Sequence, residues 1–200
     1  LILNVDKTKE LIVDFRRKHK NVKEPVYIHD NVVEQVDSFR LLGTHIANDL
    51  TWNTNCHEIL KKARQRLLFL RKLNSFGVRK CILVNFYRAI IESILCSSII
   101  VWFGRVSASD HRKLNSVVRS AERIIGTSLP SLESIYYDRM CKRTRSIMQD
   151  EFHPAADYFQ FLPSNHRLKH FKGSKRFTDS FYPDAVRAFN VNKVFFFCFL

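Results

Sequence analysis

Glycine is scarce: five of 200 residues, below the ~7% of an average chain. The five stand singly at Gly43, Gly77, Gly104, Gly126 and Gly173, so neither a dinucleotide fingerprint nor a phosphate loop can be assembled from them. Cysteine is equally uninformative as a framework. Cys56, Cys81, Cys96, Cys141 and Cys198 are odd in number, show no C-x-x-C, and are not flanked by histidines at zinc-finger spacing. They read as reduced thiols of a reducing compartment. No H-x-D occurs to begin a 2-His-1-carboxylate iron site, and no Asp-Asp occurs anywhere. The eight histidines are scattered, and His29-Asp30 reads as turn chemistry rather than an acid/base pair. An independent active site and a resident metal are therefore not expected. The chain starts Leu1-Ile2-Leu3-Asn4 without an apolar leader, so the expectation is an intracellular, cytoplasmic or nuclear protein that is not secreted.

Carboxylates are the other shortage. Lys and Arg number 33 against 19 Asp and Glu, a formal charge of +14. Hydrophobic residues at 46% and charged ones at 26% are ordinary for a folded domain, which excludes wholesale disorder. The positive charge is concentrated. Between Ile59 and Ile91 there are nine Lys or Arg and no acid. Lys61, Lys62, Arg64, Arg66, Arg71 and Lys72 fall on one amphipathic helix or its end, whose apolar stripe is Ile59, Ala63, Leu67, Leu70 and Leu73. A second acid-free run spans 165–177, with Arg167, Lys169, Lys172, Lys175 and Arg176 beside His166 and His170. Its Phe171 and Phe177 are placed to stack on unpaired bases. Basic stripes of this kind hold phosphate backbones, so RNA or a primer–template duplex is the expected partner and a membrane surface is not.

The pattern predicts an α+β chain, a small antiparallel sheet or hairpin followed by a mainly helical bundle. Residues 1–50 read as short strands: Val26-Tyr27-Ile28 and Val32-Val33 about a His29-Asp30-Asn31 turn, then 39–46 as one strand with Gly43 in its middle. Residues 51–160 read as helices. The apolar stretch 80–103 is expected to be a central core helix, with Arg88 and Glu92 as an i,i+4 pair. Leu114, Val117, Val118, Ala121, Ile124 and Ile125 stripe the next helix, capped by Ser107 or Ser109 and ended by Gly126. Pro130-Ser131 opens another, with Arg139, Lys142, Arg143 and Arg145 outward. Residues 161–190 read as a basic, loop-rich segment, and 191–200 as a hydrophobic tail outside the fold.

Several segments, in order, resemble the C-terminal part of a reverse transcriptase from a LINE-type (non-LTR) retrotransposon. Asn4-Val5-Asp6-Lys7-Thr8-Lys9 is similar to an N-x-x-K-T-K palm segment, and Phe39-Arg40-Leu41-Leu42-Gly43 to an F-x-x-L-G primer-grip strand. Tyr87-Arg88-Ala89-Ile90-Ile91-Glu92-Ser93, Val101-Trp102-Phe103-Gly104, Arg119-Ser120-Ala121-Glu122-Arg123 and residues 180–190 follow. The resemblance implies Lys7 as a general acid near an incoming nucleotide, Leu42 and Gly43 at the primer end, and the helix from Ile59 as a thumb gripping the duplex. It implies magnesium only for an intact parent polymerase, whose Asp-Asp hairpin would precede Leu1. This chain is then a nucleic-acid-binding fragment without polymerase chemistry of its own. Residues 4–42 also resemble the region labelled as the N-terminal domain of AlkB homologue 8. That label implies 2-oxoglutarate dioxygenase and methyltransferase activity for which these residues supply neither iron ligands nor a methyl-donor loop. The remaining alternative is an inert relic of a mobile element.

Overall fold

A computed structural model describes residues 4, 7–15 and 24–191. The basic cluster at 16–20 and the tail from 192 onward, Cys198 included, lie outside the described residues, as do the side chains of Lys175 and Arg176.

Among the described residues of the first fifty, the strands form three separate two-stranded ladders rather than one sheet. β1 (Lys9–Glu10) runs parallel to β4 (Glu34–Gln35), in register Lys9 with Glu34, and the same two side chains form an ion pair. β2 (Tyr27–Ile28) and β3 (Asn31–Val32) make the expected hairpin. Its turn residues His29 and Asp30 both adopt positive φ, 46° and 60°, as a type I′ loop requires. The expected strand over 39–46 is a second hairpin instead. β5 (Ser38–Leu41) pairs antiparallel with β6 (Thr44–Ala47) about Leu42 and Gly43, at φ 46° and 89°. Gly43 is thus a turn residue and not a mid-strand bulge. The two-residue loop demands left-handed backbone at both positions, which glycine adopts freely and leucine only under strain. Asn55 accepts a hydrogen bond from the His45 N–H at 3.1 Å and so ties this hairpin to the helices.

α1 (Asn53–Ser75) carries the bundle. Cys56, Ile59, Leu60, Ala63, Leu67 and Leu70 are buried at helical spacing, with Leu73 packed at their edge. They lie chiefly against α5 (Ala108–Ile125), whose buried stripe is Leu114, Val117, Val118, Ala121 and Ile125. The Ser107 hydroxyl caps α5 by accepting from the Asp110 N–H, and Gly126 closes it at φ 73° with its N–H on the Glu122 carbonyl. α6 (Leu132–Met148) starts on Ser131 in the same way.

The stretch expected as one central helix is a broken path. α2 (Lys80–Phe86) passes into a π-helical turn (Tyr87–Glu92), then α3 (Ser93–Leu95), a left-handed residue at Ser98 (φ 49°), α4 (Ile99–Trp102) and a 3-10 turn (Phe103–Arg105). The carbonyls loosened by the break are recaptured: Trp102 Nε1 donates to Ser97 O at 2.8 Å and Arg139 to Cys96 O at 2.6 Å. Arg139 is exposed, as expected, and also bridges from α6 to this segment. Lys80–Arg105 is long and apolar enough to cross a membrane by length and composition. Here Leu83, Tyr87, Ile91, Leu95, Ile99 and Trp102 are buried in the core, while Ile82, Ile90 and Val101 face outward. Arg88 and Glu92 form no ion pair: Arg88 is exposed and Glu92 half-buried, its Oε2 without a partner.

The segment expected to be loop contains two helices, α7 (Lys175–Thr178) and α8 (Phe181–Val191), after a 3-10 turn at Ala156–Phe159. Pro183, Ala185, Val186, Ala188 and Phe189 of α8 are buried, and α8 packs on α6. Asn190 accepts from the Leu168 N–H at 2.8 Å and donates to the Leu168 carbonyl at 3.0 Å, pinning the preceding loop. Pro183 had obscured this helix in the sequence, although a proline in the first turn is well tolerated.

Tyr136 on α6 donates to Asp184 on α8 at 2.5 Å, and Asp184 also accepts from Arg187 at 3.1 Å. A Cβ on Gly104 would meet the Tyr136 hydroxyl at 2.7 Å and the Asp184 carboxylate at 3.2 Å. Gly104→Ala is expected to cost about 1–3 kcal/mol in denaturant melts. In a Tyr136→Phe background the same change should cost clearly less, because the closest clashing atom is gone; additive costs would show that the two groups do not meet.

Candidate nucleic-acid interface

Burying the apolar stripe of α1 leaves its cations nowhere to go but outward. Lys61, Arg64, Arg66, Arg71 and Lys72 are exposed and Lys62 is half-buried. Among the described residues none of the six has a carboxylate within ion-pair distance. Around the helix five of them divide into two flanks. Lys61, Arg64 and Arg71 lean toward α5, with Leu68 between them; Arg66 and Lys72 lean toward the π-helical segment.

On the α5 side, open hollows follow the seam between the helices. One of about 720 Å³ is lined by His57, Lys61, Arg64, Asp110 and Lys113. The next, about 450 Å³, shares Arg64 and adds Arg71, Ser116 and Ser120. A third, about 740 Å³, shares Ser116 but lies on α5 and the turn after it, lined by Arg119, Glu122, Arg123, Thr127 and Ser128. Small hydroxyl side chains and long cations alternate along this path, which suits a polyanion better than a compact apolar ligand. The two carboxylates that border it are already engaged. Asp110 accepts from Lys113 at 2.8 Å and from Ser107 at 2.9 Å, and these bonds hold its carboxyl below the ordinary carboxylate range. Glu122 accepts from the Leu129 N–H at 2.9 Å. Arg119 and Arg123 were missed in the sequence because α5 was read for its apolar stripe; their i,i+4 spacing places them together on one side of the helix.

The second basic run does not join this face. Leu168 is buried and clamped by Asn190, so Arg167, Lys169 and Lys172 stand exposed on the α8 side of the bundle. Of its aromatics Phe171 is half-buried and used internally, while Phe177 is 43% exposed. Phe171 packs edge-on against Tyr158 and Phe177, and Tyr158 against Tyr182, so the expected role of Phe171 as a base-stacking ring is corrected. Lys7 is exposed in a short turn of its own, its N–H bonded to Asn4 Oδ1 at 3.1 Å. Leu42 and Gly43 lie at the tip of the β5–β6 hairpin, with Leu42 94% exposed. Lys7 leads into the β1–β4 ladder, so these two features belong to different ladders. Among the described residues no three His, Cys, Asp or Glu side chains group to hold a metal ion.

Elements and surface together define a small α+β chain whose helical bundle presents a continuous basic seam. A family model described as "Alkylated DNA repair protein alkB homolog 8, N-terminal" matches residues 52–93. The match therefore falls on α1 and the helical turns after it, and not on the 4–42 region where the resemblance placed it. No curated protein and no solved structure matches the chain.

Thiol chemistry plays no part in this surface. Burial pushes the Cys56 and Cys96 thiols up to about 12, and raises Cys141 as well. The thiolate is the reactive form, and at pH 8 a raised value leaves almost none of it. Iodoacetamide at pH 8 should label exposed Cys81 while Cys56 and Cys96 react only on denaturation, read by peptide mass mapping. Labelling of Cys56 in the folded chain would contradict its burial.

Proposed function

We propose that this chain is a nucleic-acid-binding module that grips a phosphate backbone, without reading sequence, along the α1–α5 seam. The observation that carries the reading is the basic surface itself: Lys61, Arg64 and Arg71 line hollows between α1 and α5, Arg119 and Arg123 line an adjoining one on α5, and the bordering Asp110 and Glu122 are already hydrogen-bonded. The resemblance to the end of a LINE-type reverse transcriptase supports a thumb-like role on a primer–template duplex, with the exposed Leu42–Gly43 hairpin tip as a second contact. The matched family description, that of a DNA repair protein, also concerns nucleic acid. Dioxygenase and methyltransferase chemistry is not part of the proposal. Residues 52–93 contain one histidine and two acids, His57, Glu58 and Glu92, too few to build either site.

Backbone binding makes a quantitative demand. About five neutralised phosphates give a slope of log affinity against log salt near −4.5 on duplex DNA. Affinity for a 20-base-pair duplex of arbitrary sequence, measured by fluorescence anisotropy, should then fall by several hundred-fold between ~50 and ~200 mM salt. Arg64→Gln with Arg71→Gln should flatten that slope by about 2 and weaken all sequences alike. An affinity unchanged across the salt range would overturn the proposal.

A further inference from the structure

The other flank of α1 has a different chemistry. A groove of about 670 Å³ runs between α1 and the π-helical segment, walled by Arg66, Phe69, Lys72 and Phe76 on one side and by Phe86 and Ile90 on the other. No acidic residue lines it. Phe69 is 48% and Phe76 79% exposed, and Ile90 is also open to solvent. Phe76 is not a loose end. Its N–H bonds to Lys72 O at 3.1 Å, and Gly77 turns the chain at φ 71°, so the helix terminus holds the ring outward. Arg66 lies over the Phe69 ring, 5.6 Å from its centroid, with its guanidinium exposed.

An apolar patch of this kind marks an interaction surface, and its charge says which. A rim of Arg66 and Lys72 without a carboxylate calls for an occupant that is both anionic and flat-ringed. Base pairs inside a duplex hide their faces; unpaired bases offer them. From this we infer that the Phe69–Phe76 groove is a stacking platform for single-stranded nucleic acid. Bases lie on Phe76 and on the Arg66–Phe69 pair, and their phosphates meet Arg66 and Lys72. The two rings are seven residues apart on one helix, about 10 Å along its axis, so both can engage one strand. The inference rests on the seam reading above and extends it: α1 then has a backbone-holding flank and a base-holding flank, and the preferred ligand is a duplex with a single-stranded extension.

Two labelled probes separate the inference from the reading beneath it: a 12-base-pair duplex and a non-self-complementary 12-nucleotide single strand carrying 2-aminopurine. With the full chain, the single strand should bind and its 2-aminopurine fluorescence should be quenched by stacking. Phe76→Ala should weaken the single strand about tenfold and leave the duplex within twofold. Phe76→Leu, which keeps the apolar bulk, should lose the quenching too, and Phe76→Tyr should restore it. Duplex binding with no single-strand binding, or single-strand binding indifferent to Phe76, overturns the platform and leaves the seam standing. Binding of neither probe overturns both. A dimer in sedimentation that Phe76→Ala disperses would assign the groove to a second copy of the chain and overturn the inference as well.

Discussion

The packing of α1 on α5 is the constraint from which the rest follows. Ala63, Leu67 and Leu70 on one helix and Leu114, Val117 and Ala121 on the other are buried almost completely. Each large side chain so buried contributes about 1.5–3 kcal/mol, while an exposed cation contributes nearly nothing to folding. The apolar stripe therefore decides the rotation of α1, and the charged residues take whatever azimuth remains. Because 3.6 residues make a turn, a stripe at 59, 63, 67 and 70 sends 61, 64 and 71 toward one edge of the seam and 66 and 69 toward the other. The functional face is a geometrical consequence of the core.

The segment after α1 keeps Tyr87, Ile91, Leu95, Ile99 and Trp102 buried at helical spacing, although the path from Lys80 to Arg105 is not one regular helix. The π-helical turn widens the path at Tyr87–Glu92, and the left-handed Ser98 redirects it. The break at Ser98 loosens the Cys96 and Ser97 carbonyls, to which Arg139 of α6 and Trp102 of the same segment bond. The π turn also leaves a cost in place: the Tyr87 hydroxyl and Glu92 Oε2 are buried without hydrogen-bond partners. Burial and the nearby Glu92 carboxylate hold the Tyr87 hydroxyl firmly protonated. π turns recur where a fold gives up regularity to place particular side chains. Here the turn carries Ala89 and Ile90 to the wall of the aromatic groove.

What the sequence disclosed divides along physical lines. α5 was legible because amphipathic period, the Ser107 cap and the closing Gly126 all agree there; α6 offered its Ser131 cap and α1 its period, and local consistency of that kind is what makes a segment readable. The Gly43 error came from treating Leu42 as a strand residue: a leucine in left-handed backbone has no sequence signature, so a two-residue turn was hidden inside an apolar run. α8 was missed because Pro183 and clustered aromatics resemble loop, and its burial depends on α6, distant in sequence. The basic stripe was seen as a composition, but its division into two flanks and the addition of Arg119 and Arg123 from α5 are tertiary facts. Phe171 and Phe177 were both assigned outward by their basic neighbours; Phe177 is indeed 43% exposed, and only the packing of Phe171 against Tyr158 shows that a ring beside cations can be half-buried.

The same logic explains why Phe69 and Phe76, rather than Phe171, carry the aromatic chemistry of this surface. A ring serves a partner only if the fold does not need it, and Phe171 is needed to close the C-terminal layer. The bundle already has its core along α1 without Phe69 and Phe76: Leu70 and Leu67, fully or nearly buried, fill that layer. Leaving two phenyl rings in water forgoes the ~1.5–3 kcal/mol that burying each would contribute, and Arg66 shields only one of them. The backbone turn at Gly77 sets the position from which Phe76, the more exposed ring, projects. Rings held open at a loss, beside cations that lack carboxylate partners, are explained by contacts made outside the fold.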